Sequence, residues 1–203
     1  MPTRRWNKKD KSFRFRIKGK PDSDYATCQD TRRSVTGYTI WFEDALIAVR
    51  SVMQKNVALS SAEAELIALV LCIQEMMYVK KLIEALELQV ELPMLVECDN
   101  KATVDLVHGH STSGGTKHID VRFMYARELK EAGIIKVQWI PTEENEADIL
   151  TKNTATRPLT DTRVSLCKRC LQSKGVYWNT SSNSRVSEAA APGSHPSEGE
   201  VAG

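Results

Sequence analysis

Apolar positions recur at helical spacing along one long stretch: Leu59, Ala62, Leu66, Leu69, Val70, Ile73 and Met77. The spacing predicts a helix from about residue 61 to about residue 86, with Lys80, Lys81 and Glu84 on its outer side. Ser60 or Ser61 suits the N-cap, where a side-chain oxygen takes a free amide hydrogen of the first turn. Glu63 or Glu65 completes the capping signature. Period-two patterns lie before this helix. Residues 13–17 alternate apolar and basic side chains, the mark of a strand with one buried face. Residues 37–42 are rich in β-formers, and residues 46–52 are the expected partner strand across a short connection holding Glu43 and Asp44. After the helix, Pro93 breaks the chain. Residues 94–98 predict a strand and residues 101–107 a short helix. Residues 118–132 predict an amphipathic helix ended by Gly133, and residues 134–140 a strand. Pro141 to Asn145 leads into a last helix over 146–150. The order β, β, β, α, β, α, α, β, α is that of one α/β domain.

Composition adds boundaries. Beyond Lys152 the periodicity stops, and from residue 179 the chain is mostly Ser, Pro, Gly, Ala and Glu, which cannot bury a core. The expected organisation is a basic arm over 1–12, a folded domain over 13–155, an irregular segment over 156–178 and a disordered tail over 179–203. The net charge of +2 conceals a strong asymmetry. The first twenty residues hold nine basic side chains against one acid, Asp10, which suits contact with nucleic acid or a solubilising arm. The longest apolar run, 66–73, is too short to span a bilayer, so no membrane partner is expected. Five cysteines without a secretory signal fit a reducing compartment, so the expected location is intracellular, cytoplasm or nucleus, and not secreted. Cys167 and Cys170 form a single CxxC with no second pair, and His108 and His110 lack a third ligand nearby. Neither group makes a zinc site.

The acids carry the candidate chemistry. Glu63 and Glu65 sit about 200° apart on the helical wheel, flanking the apolar stripe, so one of them can face a site while the other points away. Both can equally be dipole and capping residues. Asp22 and Asp24 would share one face of a strand, or belong to a Pro-Asp-Ser-Asp turn. Asp99 follows the strand over 94–98, where open α/β sheets place their chemistry, and Asp148 lies in the last helix. Carboxylates brought together repel one another unless cations lie between them. Two divalent ions about 3.5–4 Å apart can activate water and stabilise a leaving oxygen in phosphodiester cleavage. Hard ions such as magnesium take oxygen ligands.

Six stretches point further. They are Asp22-Ser23-Asp24-Tyr25-Ala26, Asp30-Thr31-Arg32-Arg33-Ser34-Val35-Thr36-Gly37-Tyr38, Val57 through Glu65, Cys98-Asp99-Asn100, Thr116-Lys117-His118-Ile119-Asp120-Val121-Arg122, and Ala147-Asp148-Ile149-Leu150-Thr151-Lys152. In this order they resemble the ribonuclease H domain that ends the polyprotein of copia-type LTR retrotransposons, over roughly residues 19–152. The chain reads as a detached fragment of such a polyprotein. The resemblance implies a ribonuclease H-like fold, a mixed five-stranded sheet flanked by helices. It implies a metal-dependent endonuclease that hydrolyses the RNA strand of RNA–DNA hybrids with two Mg2+ ions, Mn2+ serving as a substitute. It selects Asp22, Glu65, Asp99 and Asp148 as catalytic residues and metal ligands, with Asp24 as the second choice to Asp22. Arg32, Arg33, Asn100, Lys117 and His118 are implied nucleic-acid contacts, and a reverse transcriptase domain is an implied partner. Two departures from the family, Pro21 before Asp22 and no glycine in the 41–48 connection, favour the alternative of an inactive nucleic-acid-binding remnant. A proline in a central strand costs a ladder bond.

Overall fold

The computed structural model describes residues 12–109 and 117–152, the side chains of 117–120 excepted. The basic arm before Ser12, His110, the Cys167/Cys170 pair and the expected tail lie outside the described residues.

Strand β2 (Ile17–Asp24) is the centre of the sheet. It pairs antiparallel with β3 (Val35–Phe42), which pairs antiparallel with β4 (Ala45–Met53). On its other side β2 runs parallel to β6 (Met94–Cys98), which runs parallel to β7 (Ile135–Trp139). The five-stranded order is β4-β3-β2-β6-β7. A separate pair joins β1 (Arg14–Phe15) to β5 (Gln89–Val90). The mixed sheet is the one the resemblance implies.

Helix α1 (Ser61–Ala85) covers one face of this sheet. Leu66, Leu69, Ile73 and Met76 are fully buried against Ile17, Ile40, Val96 and Val137. Gly19 sets how closely α1 lies on β2: a Cβ there would sit 2.5 Å from both Cys72 Sγ and Met76 Sδ. Ser60 is the N-cap, accepting from Glu63 N at 3.1 Å, while Glu63 Oε2 accepts from Leu59 N at 2.7 Å. The two bonds make a reciprocal cap like a capping box, with the Glu63 carboxylate reaching the residue before the N-cap. Helices α2 (Lys101–His108) and α3 (Lys117–Glu131) follow β6. Gly133, at φ +68°, ends the α3 turn before β7 as the pattern predicts.

The structure corrects two element readings and accounts for both departures from the family pattern. The first long strand does not stop at residue 17. It runs through Pro21 to Asp24, so the Pro-Asp-Ser-Asp stretch is strand and not turn. Pro21 forfeits no bond to β3, because a residue's nitrogen and carbonyl face the same neighbour in a strand. The Pro21 carbonyl is taken by Asn145 Nδ2 at 2.8 Å, beyond Gly19, the last β2 residue in register with β6. The β3–β4 hairpin closes on Glu43 and Asp44 without glycine. Glu43 adopts φ +52°, a left-handed conformation that usually favours glycine. Its carboxylate accepts from Arg16 N, Nε and Nη2 at 2.8, 3.1 and 2.9 Å, which offsets that cost. Finally, the predicted helix over 146–150 is a 3-10 turn (Thr142–Glu144) followed by α4 (Asp148–Thr151), one turn of helix only.

Candidate active site

The four acids lie far apart in the chain and on four different elements. Asp22 is near the carboxyl end of β2, and Asp99 directly follows the carboxyl end of β6. Because β2 and β6 are parallel, these two ends lie at the same rim of the sheet. Glu65 lies in the second turn of α1, on the face turned to the sheet, and is buried. Glu63, on the other side of the wheel, is spent on the cap. Asp148 opens α4.

Glu65 lies close to Asp99 and to the backbone beside Asp22, and Thr151 links Asp22 to the Asp148 backbone. Glu65 Oε1 accepts from Ser23 N at 3.3 Å, which ties the helix acid to the backbone beside Asp22. Ligand atoms of Glu65, Cys98 and Asp99 all lie within 4.8 Å of one another. Burial pushes the Glu65 carboxyl up to about 8, and the charges of Asp22 and Asp99 add to the rise. Burial likewise pushes Asp22 up to about 6. Asp99 and Asp148 raise it further, against the hydrogen bond from Thr151 and the charge of Lys152. Glu65 and Asp22 therefore feel the charge of the acids beside them. Asp24, the second choice, is only half-buried.

The donor set suits a hard divalent cation. Glu65 Oε2 is buried and has no hydrogen-bond partner among the described residues. An orphaned carboxylate oxygen facing other acids is costly unless a cation meets it. Cys98, which the sequence did not suggest, stands beside it. Burial drives its thiol well above the ordinary range, so it stays protonated and leaves the oxygens as the ligands for a magnesium-like ion. Lys152 is ion-paired to Asp148 Oδ1. Burial pulls its ammonium down, but the bond to Asp148 and the charges of Asp22, Asp148 and Asp99 outweigh that and raise it.

Several residues that shape the site escaped the sequence reading. Thr151 Oγ1 donates to Asp22 Oδ2 and to Asp148 O, the latter at 3.2 Å. Gly37 is the register partner of Asp22 on β3. A Cβ at Gly37 would lie 2.7 Å from Thr151 Cγ2 and 2.8 Å from Leu150 Cβ, so only glycine lets α4 settle there. Asn145 Nδ2 donates to Asp99 Oδ1 at 3.0 Å as well as to Pro21 O. Trp139 is half-exposed, and its Nε1 donates to the Asp99 carbonyl at 2.9 Å. A glycine inside a run of β-formers and an asparagine three residues before Asp148 were the available signals.

The expected nucleic-acid contacts divide. Arg32 and Arg33 are exposed in the β2–β3 loop, at the same rim as Asp22. Asn100 Oδ1 accepts from Thr103 N at 3.0 Å as the N-cap of α2, so its oxygen is already engaged. Lys117 and His118 open α3, and their side chains lie outside the described set.

No protein-family model matches the chain. Over 136 residues, 67% of its length, the chain is 40% identical to the retrovirus-related Pol polyprotein from transposon TNT 1-94 of Nicotiana tabacum. Over 131 residues it is 29% identical to the corresponding polyprotein from transposon RE1 of Arabidopsis thaliana. The chain spans about a tenth of the length of these curated relatives, 10% and 9%. In fold it is similar to the RNase H1 of the halophilic archaeon Halobacterium salinarum NRC-1, with a TM-score of 0.50 at 15% identity, covering 67% of this chain and 94% of that one. It is also similar to LC11-RNase H1, solved in complex with an RNA/DNA hybrid, with a TM-score of 0.52 at 18% identity, covering 67% and 94%. The fold is that of ribonuclease H, and the resemblance to retrotransposon Pol sequences read from the motifs holds.

Proposed function

We propose that this chain, similar to one stretch of retrotransposon Pol polyproteins, hydrolyses the RNA strand of RNA–DNA hybrids with divalent cations held by Asp22, Glu65, Asp99 and Asp148. The observation that carries the reading is the gathering of acids at one rim, where burial and the charges of Asp22 and Asp99 push Glu65 up, and burial and the charges of Asp99 and Asp148 push Asp22 up. A site that disfavours its own ionisation in this way stores repulsion that a bound cation relieves. Mg2+ or Mn2+ in that position would supply an activated water and neutralise the charge that develops on the leaving oxygen. The chain's own residues do the rest. Ser23 N orients Glu65, and Thr151 holds the Asp22 carboxylate. Lys152 balances Asp148.

Arg32, Arg33, Lys117 and His118 are the proposed backbone-phosphate contacts, so hybrid affinity falls with salt. Asn100, through the part of its side chain not used as a cap, belongs to the same surface. A reverse transcriptase domain is the proposed partner, as the resemblance to retrovirus-related Pol polyproteins implies.

The test is a gel assay with a labelled hybrid, with and without Mg2+. Cleavage of the RNA strand only when the metal is present is the expected result. A shifted but uncut hybrid at every Mg2+ and Mn2+ concentration would replace the enzyme with a binding-only remnant. Neither cutting nor a shift would leave an inert fragment.

A further inference from the structure

Asn145 is a fully buried polar side chain with every hydrogen-bonding group engaged. It is 1% exposed. Its Nδ2 donates to Asp99 Oδ1 at 3.0 Å and to Pro21 O at 2.8 Å, and its Oδ1 accepts from Ala147 N at 3.2 Å. Its backbone nitrogen donates to Thr142 O at 3.0 Å. The contacts fix which way the amide faces. Turned over, its oxygen would meet the Pro21 carbonyl and a carboxylate, two acceptors with no proton between them. One amide thus bridges the residue before Asp22, the Asp99 carboxylate and the segment that presents Asp148 three residues later.

We infer that Asn145 is a positioning residue for Asp99, setting where that carboxylate offers its oxygens to a divalent cation. This rests on the metal reading proposed above. Asp99 lies just past the end of β6 and is only half-buried, so the strand alone leaves its side chain free to turn. An oxygen that accepts from an amide keeps a second lone pair, so pinning it does not remove it as a ligand. The bond also links Asp99 to β2 through Pro21, which holds the Asp99 and Asp22 carboxylates in a fixed relation while the strands part beyond Gly19. Groups that orient a metal ligand in this manner govern affinity for the ion. Asn145 itself meets no substrate atom in this role.

A simpler role is a plain staple that fastens residues 141–152 to the sheet. Ser51 offers the control: its Oγ donates to Leu150 O at 2.6 Å, fastening the same segment without touching an acid. The experiment measures the melting temperature of the full chain across Mg2+ and Mn2+ titrations, for the native protein, Asn145→Ala, the milder Asn145→Ser, and Ser51→Ala. In the native protein the temperature rises and saturates. Ser51→Ala lowers the metal-free value slightly and keeps the native titration midpoint. Asn145→Ala and Asn145→Ser move the midpoint to about 10- to 100-fold more metal. Hybrid cleavage follows the same shift in metal requirement, with KM for the hybrid unchanged. A saturable native titration whose midpoint neither Asn145 variant moves overturns the positioning role and leaves the metal site standing. A native protein with no saturable rise overturns the metal site itself, and this inference with it. If Asn145→Ala does not fold, Asn145→Ser decides between the two roles.

Discussion

Two regions bring acids to the same rim by different means. Asp22, Glu65 and Asp99 are carried by β2, α1 and the end of β6, with α1 packed on the sheet through Leu66, Leu69 and Ile73 against Ile17 and Val96. Asp148 is carried by a single helical turn whose position is set by polar contacts. Asn145 bonds Pro21 O and Asp99, and Thr151 bonds Asp22. Lys20, itself buried, adds an ion pair to Glu146 at 2.5 Å and a hydrogen bond to Glu144 O at 2.6 Å. The first region is fixed by apolar burial, which is strong and does not depend on direction. The second is fixed by hydrogen bonds and charge, each worth little on its own but directional. Disturbing the first should cost stability, and disturbing the second should cost geometry at the site.

The largest expected effect falls on the acids themselves. Asp99→Asn abolishes cleavage of the hybrid while the melting temperature stays near that of the native protein. Undiminished Mg2+-dependent cleavage by this variant would remove Asp99 from the site.

The two close-approach glycines separate the regions. Gly19→Ala forces a Cβ against Cys72 and Met76 in the core, costs about 1–3 kcal/mol by overpacking, and leaves the activity of each folded molecule near native. Gly37→Ala drives a Cβ into Thr151 and Leu150 and moves α4, so activity falls about 10- to 100-fold for a similar loss of stability. Denaturant titrations alongside cleavage rates per folded molecule test the contrast. Equal losses of rate in both variants would erase it.

A third effect depends on pH. Asp22 and Glu65 are held at about 6 and about 8, above their ordinary 3.8 and 4.5. Carboxyls raised by folding bind protons more tightly in the native state. Their contribution is complete below about pH 4 and is lost as the pH climbs through about 6 and then about 8. The metal-free chain should therefore melt at lower temperature as pH rises across this window, and saturating Mg2+ should flatten the fall. Differential scanning fluorimetry with and without chelator measures it. A metal-free melting temperature that does not decline over the window counts against the burial and shared charge that raise these two acids.

The smallest effect belongs to Thr151→Val, which removes the hydroxyl that holds the Asp22 carboxylate. That bond lowers the Asp22 pKa, so its loss shifts the acid limb of the pH–rate profile to higher pH. The shift should come with a stability loss of about 1 kcal/mol. A profile that stays in place would mean that the Thr151 bond does not tune Asp22.

Much of the frame was legible in the chain. The 3.6-residue stripe located α1 to within a residue at each end, because a long amphipathic pattern over many turns leaves little choice of phase. The strand over 94–98 was read correctly, bounded by a proline before it and Asp99-Asn100 after it. The last helix was misplaced, because four residues cannot display a period. The first long strand was cut short, because Pro21 signals a turn wherever its surroundings are unknown. Asn145 was passed over as part of a polar loop, and its burial depends on residues more than a hundred positions earlier.

The amino-acid order alone determined the elements that repeat a local pattern, the acidic residues available for chemistry and the family that their spacing resembles. Only the tertiary structure decided that Asp22 and Glu65 are the buried members of the doubled acids, that a proline could lie in the central strand, and that one glycine and one asparagine fit the last turn beside the other acids. The reason is range. Helix and strand periods are set by neighbours within a few residues, whereas burial, shared charge and a side-chain amide joining three segments exist only once distant parts of the chain have packed together.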